Sequence, residues 1–66
     1  MKNNIRVARA ERRMTQQELA EAAGVSRQTI NAIESGKFVP STVLALKIAR
    51  TFEKSVEEIF SLEEND

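Results

Sequence analysis

Apolar residues along this chain recur at helical spacing in five short stretches, separated by polar residues with capping chemistry. Ile5 and Ala8 share one face of a first helix, which Asn4 can cap and which runs on through Arg9 and Arg12. Thr15-Gln16-Gln17-Glu18 reads as a capping box, the Thr15 hydroxyl accepting from the Glu18 amide while the Glu18 side chain reaches back. The second helix then buries Leu19, Ala20 and Ala23, and Gly24 stands where a left-handed residue would end it. Ser26 caps a third helix with Ile30 and Ile33 facing inward, and Gly36 stops it. Pro40-Ser41 opens a fourth, with Leu44, Ala45, Ile48, Ala49 and Phe52 on its apolar side. Ser55-Val56-Glu57-Glu58 is a second capping box, starting a short fifth helix that carries Ile59 and Phe60. No segment alternates with period two over a useful length, so the pattern predicts one all-α, five-helix domain over residues 1–66, with residues 63–66 frayed.

The second and third predicted helices are joined by only Gly24-Val25-Ser26, and so tight a junction constrains its neighbours. Ala20 has to be small where the third helix crosses the second at close range. Gly24 supplies a backbone conformation that a β-carbon penalises. Val25, Ile30 and Ile33 fill the gap between the two helices. This is the helix–turn–helix arrangement, expected over about residues 15–36, whose second helix projects outward and can enter a DNA major groove.

Composition narrows the chemistry. The chain has 66 residues, and a domain of that size buries a limited core, so its stability is expected to be marginal or helped by association. It has no cysteine and no histidine, which removes disulfides, thiolate metal sites, the commonest zinc ligand and the commonest general base. Without a glycine-rich phosphate loop or clustered carboxylates in a plausible pocket, the sequence argues against an enzyme and calls for no cofactor and no metal. No apolar run is long enough to span a bilayer and no signal-peptide core is present, so a soluble, cytoplasmic protein is expected.

Formal net charge is zero, but its distribution is uneven. Residues 1–33 carry Lys2, Arg6, Arg9, Arg12, Arg13 and Arg27 against Glu11, Glu18 and Glu21, a net +3. Residues 34–66 carry Lys37, Lys47, Arg50 and Lys54 against Glu34, Glu53, Glu57, Glu58, Glu63, Glu64 and Asp66, a net −3. Asymmetry of this kind points weakly to a basic face for a polyanion.

The stretch MTQQELAEAAGVSRQTINAIESGKFVPS resembles the Cro/phage-repressor (XRE-type) helix–turn–helix family, and the resemblance runs from about Ile5 to Phe60. It rests on Thr-Gln opening the second helix, Glu-Leu-Ala within it, Gly-Val-Ser at the turn, Ile-Glu-x-Gly-Lys closing the third helix, and Pro-Ser before the fourth. It implies a five-helix DNA-binding domain and a transcriptional regulator, usually a dimeric repressor acting on a palindromic operator. The chain departs from the family pattern at Arg13, where glycine is common and a positive φ is implied. Ala8 and Ala23 replace commoner leucines, and Val7 and Val43 occupy positions that are often polar.

The resemblance also assigns roles. Arg27 and Gln28, first in the third helix, would read base edges, with Asn31 and Ala32 one turn on. Their chemistry suits that work: Arg27 can donate twice to guanine O6 and N7, Gln28 can pair with adenine N6 and N7, Asn31 can read an edge and Ala32 can touch a thymine methyl. Gln16, Ser26, Ser35 and Lys37 would hold phosphates, with Lys2 and Arg6 adding charge and Phe38 serving as packing. Arg9 and Glu34 would pair across the core edge in a structural role, alongside Ala20 and Gly24. A symmetric homodimer is expected through Val56, Ile59, Phe60 and Leu62, extended by Val7 and Val43 if those two adjoin the patch. The leading expectation is sequence-specific binding to double-stranded DNA, with no membrane association and no small-molecule effector. The alternatives are an antitoxin that grips both DNA and a protein toxin, against which the lack of a long tail counts, and a protein-interaction module that has lost DNA binding.

Overall fold

A computed structural model of the chain describes residues 1–66. The five anticipated helices form in order: α1 (Ile5–Glu11), α2 (Gln16–Ala23), α3 (Arg27–Glu34), α4 (Thr42–Thr51) and α5 (Val56–Ile59). Four of the five helices begin at the residues whose side chains can cap them. The Oγ atoms of Thr15, Ser26, Ser41 and Ser55 accept from the backbone N–H three residues on, and both capping boxes are closed by their glutamates. These bonds satisfy donors that a helix start otherwise leaves without partners.

α1 starts differently. Asn4 occupies the cap position, but its side chain makes no cap bond and instead donates from Nδ2 to the Glu58 carbonyl at 3.3 Å. Asn3 supplies the local acceptor, its Oδ1 taking the Ile5 N–H at 3.2 Å. The reason lies in an element that the apolar pattern does not announce. β1 (Lys2–Asn3) pairs antiparallel with β2 (Phe60–Ser61), in register Lys2↔Ser61 and Asn3↔Phe60. Two residues per strand are too few for alternation to register. The all-α fold therefore stands with one minor strand pair added, and Phe60 opens β2 rather than extending α5. The segment expected to fray is tied back as well: the Met1 ammonium donates to Asp66 Oδ1 at 3.3 Å.

The core is continuous. Ile5, Ala8, Leu19, Ala20, Ala23, Ile30, Ile33, Ile48, Ala49, Phe52, Ile59 and Phe60 are buried, with Met1, Met14, Val25, Leu44, Ala45 and Val56 packed against them at partial exposure. Ala20 is completely buried, as a close crossing of α2 and α3 requires. Gly24 ends α2 at φ 75, and a β-carbon there would meet no atom within 4 Å, so the position demands glycine for its dihedral and not for space. Arg13 does adopt positive φ, at 52, and Glu53 matches it at 55 beyond the end of α4, which the sequence did not suggest. No helix is long and apolar enough to cross a membrane.

Candidate nucleic-acid interface

α3 is amphipathic in a way that fixes which residues it can present. Ile30 and Ile33 are buried and lock one side, which turns Arg27, Gln28 and Asn31 outward and leaves Ala32 half-buried beside them. Ser26 holds the first turn, its Oγ accepting from the Thr29 N–H at 3.1 Å and lying 3.0 Å from Thr29 Oγ1. The side chains of Arg27 and Gln28 are exposed and take part in no intramolecular hydrogen bond or ion pair. Exposed donors and acceptors on a rigid helix, two of them at its first turn, suit recognition of a ligand edge.

The rear of α3 is anchored by charge. Arg9 on α1 forks onto Glu34, donating from Nε to Oε1 and from Nη2 to Oε2 at 3.2 Å, while its Nη1 donates to the Met14 carbonyl at 2.9 Å. The Glu34 side chain is only 2% exposed. Burial by itself raises a carboxyl pKa, but the Arg9 bonds, a bond from Gln16 and the nearby Arg9 and Arg6 charges outweigh it and hold Glu34 below its usual range. Arg6 Nε lies 4.0 Å from Glu34 Oε2 and its side chain is otherwise solvated.

The residues expected to hold phosphates are less uniform than the resemblance implies. Lys37 is exposed, and its backbone N–H caps the end of α3 by donating to the Ala32 carbonyl at 2.9 Å. Ser35 Oγ donates to that same carbonyl at 3.1 Å, and Ser26 Oγ serves as a helix cap, so both hydroxyls already have protein partners. Gln16 faces inward: its Nε2 donates to Asn31 Oδ1 at 3.2 Å and to Glu34 Oε2 at 3.0 Å. The backbone N–H groups of Gln16 and Gln17 have no intramolecular acceptor, so an anion near the start of α2 would meet main-chain donors there.

Three expectations about apolar residues change. Phe38 is 50% exposed rather than packed, because the chain turns sharply after α3 and Pro40 takes the buried place. Ile59 and Phe60, assigned to a partner surface, are 1% and 6% exposed and complete the monomer core. Val7 lines a depression with Asn4, Glu11, Lys54 and Glu58, apart from the apolar surface around Val56 and Leu62. Two polar residues make long-range contacts that the sequence does not indicate. Asn3 donates from Nδ2 to the Ile33 carbonyl at 3.0 Å, fastening β1 to the end of α3. Arg12 donates to the Phe52 carbonyl at 2.9 Å and reaches Glu53 at 3.3 Å, joining the ends of α1 and α4. Neither has a local signature, since each partner lies thirty or more positions away.

Comparison with known proteins agrees with this geometry. The helix-turn-helix family profile matches residues 5–59. The chain is 47% identical over 66 residues to the HTH-type transcriptional regulator YgzD of Bacillus subtilis (strain 168), covering all of both chains. It is 50% identical over 66 residues to the HTH-type transcriptional regulator MJ0272 of Methanocaldococcus jannaschii, again over all of both. Among solved structures it resembles the restriction-modification controller protein C.AhdI of Aeromonas hydrophila, with a TM-score of 0.79 and 28% identity over 85% of each chain.

Proposed function

Since this chain belongs to the helix-turn-helix family and is a DNA-binding transcriptional regulator, we propose that it recognises a specific duplex sequence as a symmetric homodimer and represses the promoter it occupies. In this reading α3 enters the major groove. Arg27 donates to guanine O6 and N7, Gln28 pairs with adenine N6 and N7, and Ala32 touches a thymine methyl. Lys37, Arg6 and the free N–H groups of Gln16 and Gln17 hold the flanking phosphates and set the register. The observation that carries the proposal is the outward face of α3, where Arg27 and Gln28 stand exposed and unpaired on a helix locked by Ile30 and Ile33.

The dimer follows from information content and surface. Arg27, Gln28, Asn31 and Ala32 are too few for one copy to single out a promoter, and two-fold symmetry doubles them across half-sites about 34 Å apart. An apolar surface is available for the contact. Met1, Val56, Phe60 and Leu62 line a groove that continues past Val39, Pro40, Ala45 and Leu46. The contact therefore centres on Val56 and Leu62 with Val39 and Leu46, while Ile59 stays inside each protomer.

Selection of bound duplexes from a random library, followed by titration of the best sequence at two salt concentrations, tests the recognition step. The expected result is a two-fold symmetric consensus whose affinity falls as salt rises, because lysines and arginines displace counterions from phosphates. Equal affinity for every duplex, or no binding at low salt, would refute the reading.

A further inference from the structure

The buried carboxylate of Glu34 connects to the outward face of α3 through one side chain. Ionised, Glu34 can only accept hydrogen bonds. Its oxygens take the Arg9 fork, and Oε2 also takes Gln16 Nε2 at 3.0 Å. An acceptor on that side decides which end of the Gln16 carboxamide turns inward: the nitrogen. The same nitrogen reaches Asn31 Oδ1 at 3.2 Å, so both of its hydrogens are engaged. The orientation passes on, because a donor beside Asn31 draws its oxygen toward Gln16 and leaves Nδ2 facing solvent. Asn31 makes no other side-chain bond and is exposed.

We propose that Gln16 is a positioning residue for base recognition: anchored on Glu34, it fixes the Asn31 carboxamide with its donor outward, so that Asn31 selects guanine over adenine. The inference rests on the duplex-recognition reading above. An asparagine that reads adenine uses both ends of its amide, donating to N7 while accepting from the N6 amino group. With Oδ1 held by Gln16, the accepting half points away from the groove. A donor-only edge finds two acceptors on guanine, N7 and O6. On thymine it finds one, and on adenine it finds one beside a competing donor. Gln16 is thereby removed from the phosphates, because the end of its amide left free is a carbonyl oxygen, which an anion repels.

Library selection on the full chain separates this from simple surface chemistry. Asn31→Ala identifies the position that Asn31 reads, as the one that loses its preference. The wild-type protein is expected to favour guanine there by roughly tenfold over adenine, the scale of one well-made base contact. Gln16→Met keeps the length of the side chain and removes its donors. The freed amide can then turn, and the guanine-to-adenine ratio should fall at least fivefold, with circular dichroism and melting showing an intact fold. Asn31→Asp leaves Gln16 in place and presents an acceptor to the groove, moving the preference from guanine to cytosine. A wild-type preference for adenine at that position would overturn the relay while leaving DNA recognition standing. So would a Gln16→Met profile identical to wild type, or an Asn31→Ala profile with no position altered. Absence of sequence preference in the wild type would defeat the recognition reading, and the relay with it.

Discussion

Arg27, Gln28 and Lys37 are all exposed and polar, and the proposed reading gives them different tasks. Arg27 and Gln28 open α3, whereas Lys37 lies beyond its end on the turn toward α4. Truncating a base contact removes about 1–3 kcal/mol on the preferred site and blurs one position, while truncating a phosphate contact weakens all sequences alike. Arg27→Ala and Gln28→Ala are therefore expected to lose specificity, and Lys37→Ala to lower affinity uniformly and flatten the salt slope, in parallel binding titrations. Full retention of sequence preference by both α3 variants would remove those residues from the groove. Glu34 makes a separate prediction. Its folded pKa lies below the ordinary glutamate range, because Arg9 and Gln16 outweigh the effect of burial. A depressed carboxyl contributes stability that is fully present above its unfolded pKa and is lost as pH falls through the folded one. Urea unfolding at falling pH should show the gap between wild type and Glu34→Gln narrowing as pH drops below the ordinary glutamate pKa and through the lowered one. A gap independent of pH would mean that the carboxylate charge has no part in holding α1 to α3.

At the level of elements, the ends of α1 and α4 are built alike. In each, a non-glycine residue at positive φ follows the helix, and a hydroxyl residue with a capping box opens the next one two positions later. The following N–H reaches back into the helix in both cases, Met14 to the Arg9 carbonyl at 2.9 Å and Lys54 to the Ala49 carbonyl at 3.0 Å. Left-handed backbone costs a residue with a β-carbon about 1–2 kcal/mol, part of which glycine returns through its greater freedom when unfolded. Arg13→Gly should accordingly stabilise the domain by about 0.5–1 kcal/mol, a rise of a few degrees in melting temperature. Glu53→Gly should gain less, because Glu53 also receives Arg12 in an exposed ion pair at 3.3 Å. Calorimetry of the two variants checks the order, and a loss of stability in Arg13→Gly would show that its side chain has a role outside the backbone.

For the molecule as a whole, the question is what covers its exposed apolar residues. Leu62 is 77% exposed, and Val39, Val43 and Leu46 are more than half exposed. Val39, Leu46 and Leu62 border the grooves around Met1, Val56 and Phe60, and Val43 lies one turn before Leu46 on α4. A small domain gains much by burying such a surface against its own copy. Sedimentation at micromolar concentration should give a dimer for the wild type and a folded monomer for Leu62→Glu, a change that leaves the buried core untouched. A wild-type monomer that still occupies a single half-site would refute the two-fold arrangement.

The five helices and the starts of four of them were legible because the forces that place them are local. Capping hydroxyls act over three residues, helical apolar spacing over three or four, and the left-handed demand at Gly24 or Arg13 at a single residue. The same locality exposed the outward face of α3: once Ile30 and Ile33 face inward, the 3.6-residue period turns Arg27, Gln28 and Asn31 out. What could not be read locally was decided by tertiary contact. The β1–β2 pair joins residues almost sixty positions apart, so it took Asn4 from the cap it would otherwise serve and drew Phe60 out of α5 into the core. The type and place of Gln16 allow a phosphate contact, but only folding brings up the buried charge of Glu34, eighteen positions on, which takes the nitrogen of its amide and, through it, orients Asn31. Sequence determined which side chains α3 displays, through periodicity; tertiary structure alone decided which ends of the Gln16 and Asn31 amides point out, because that choice belongs to hydrogen-bond partners brought together only by folding.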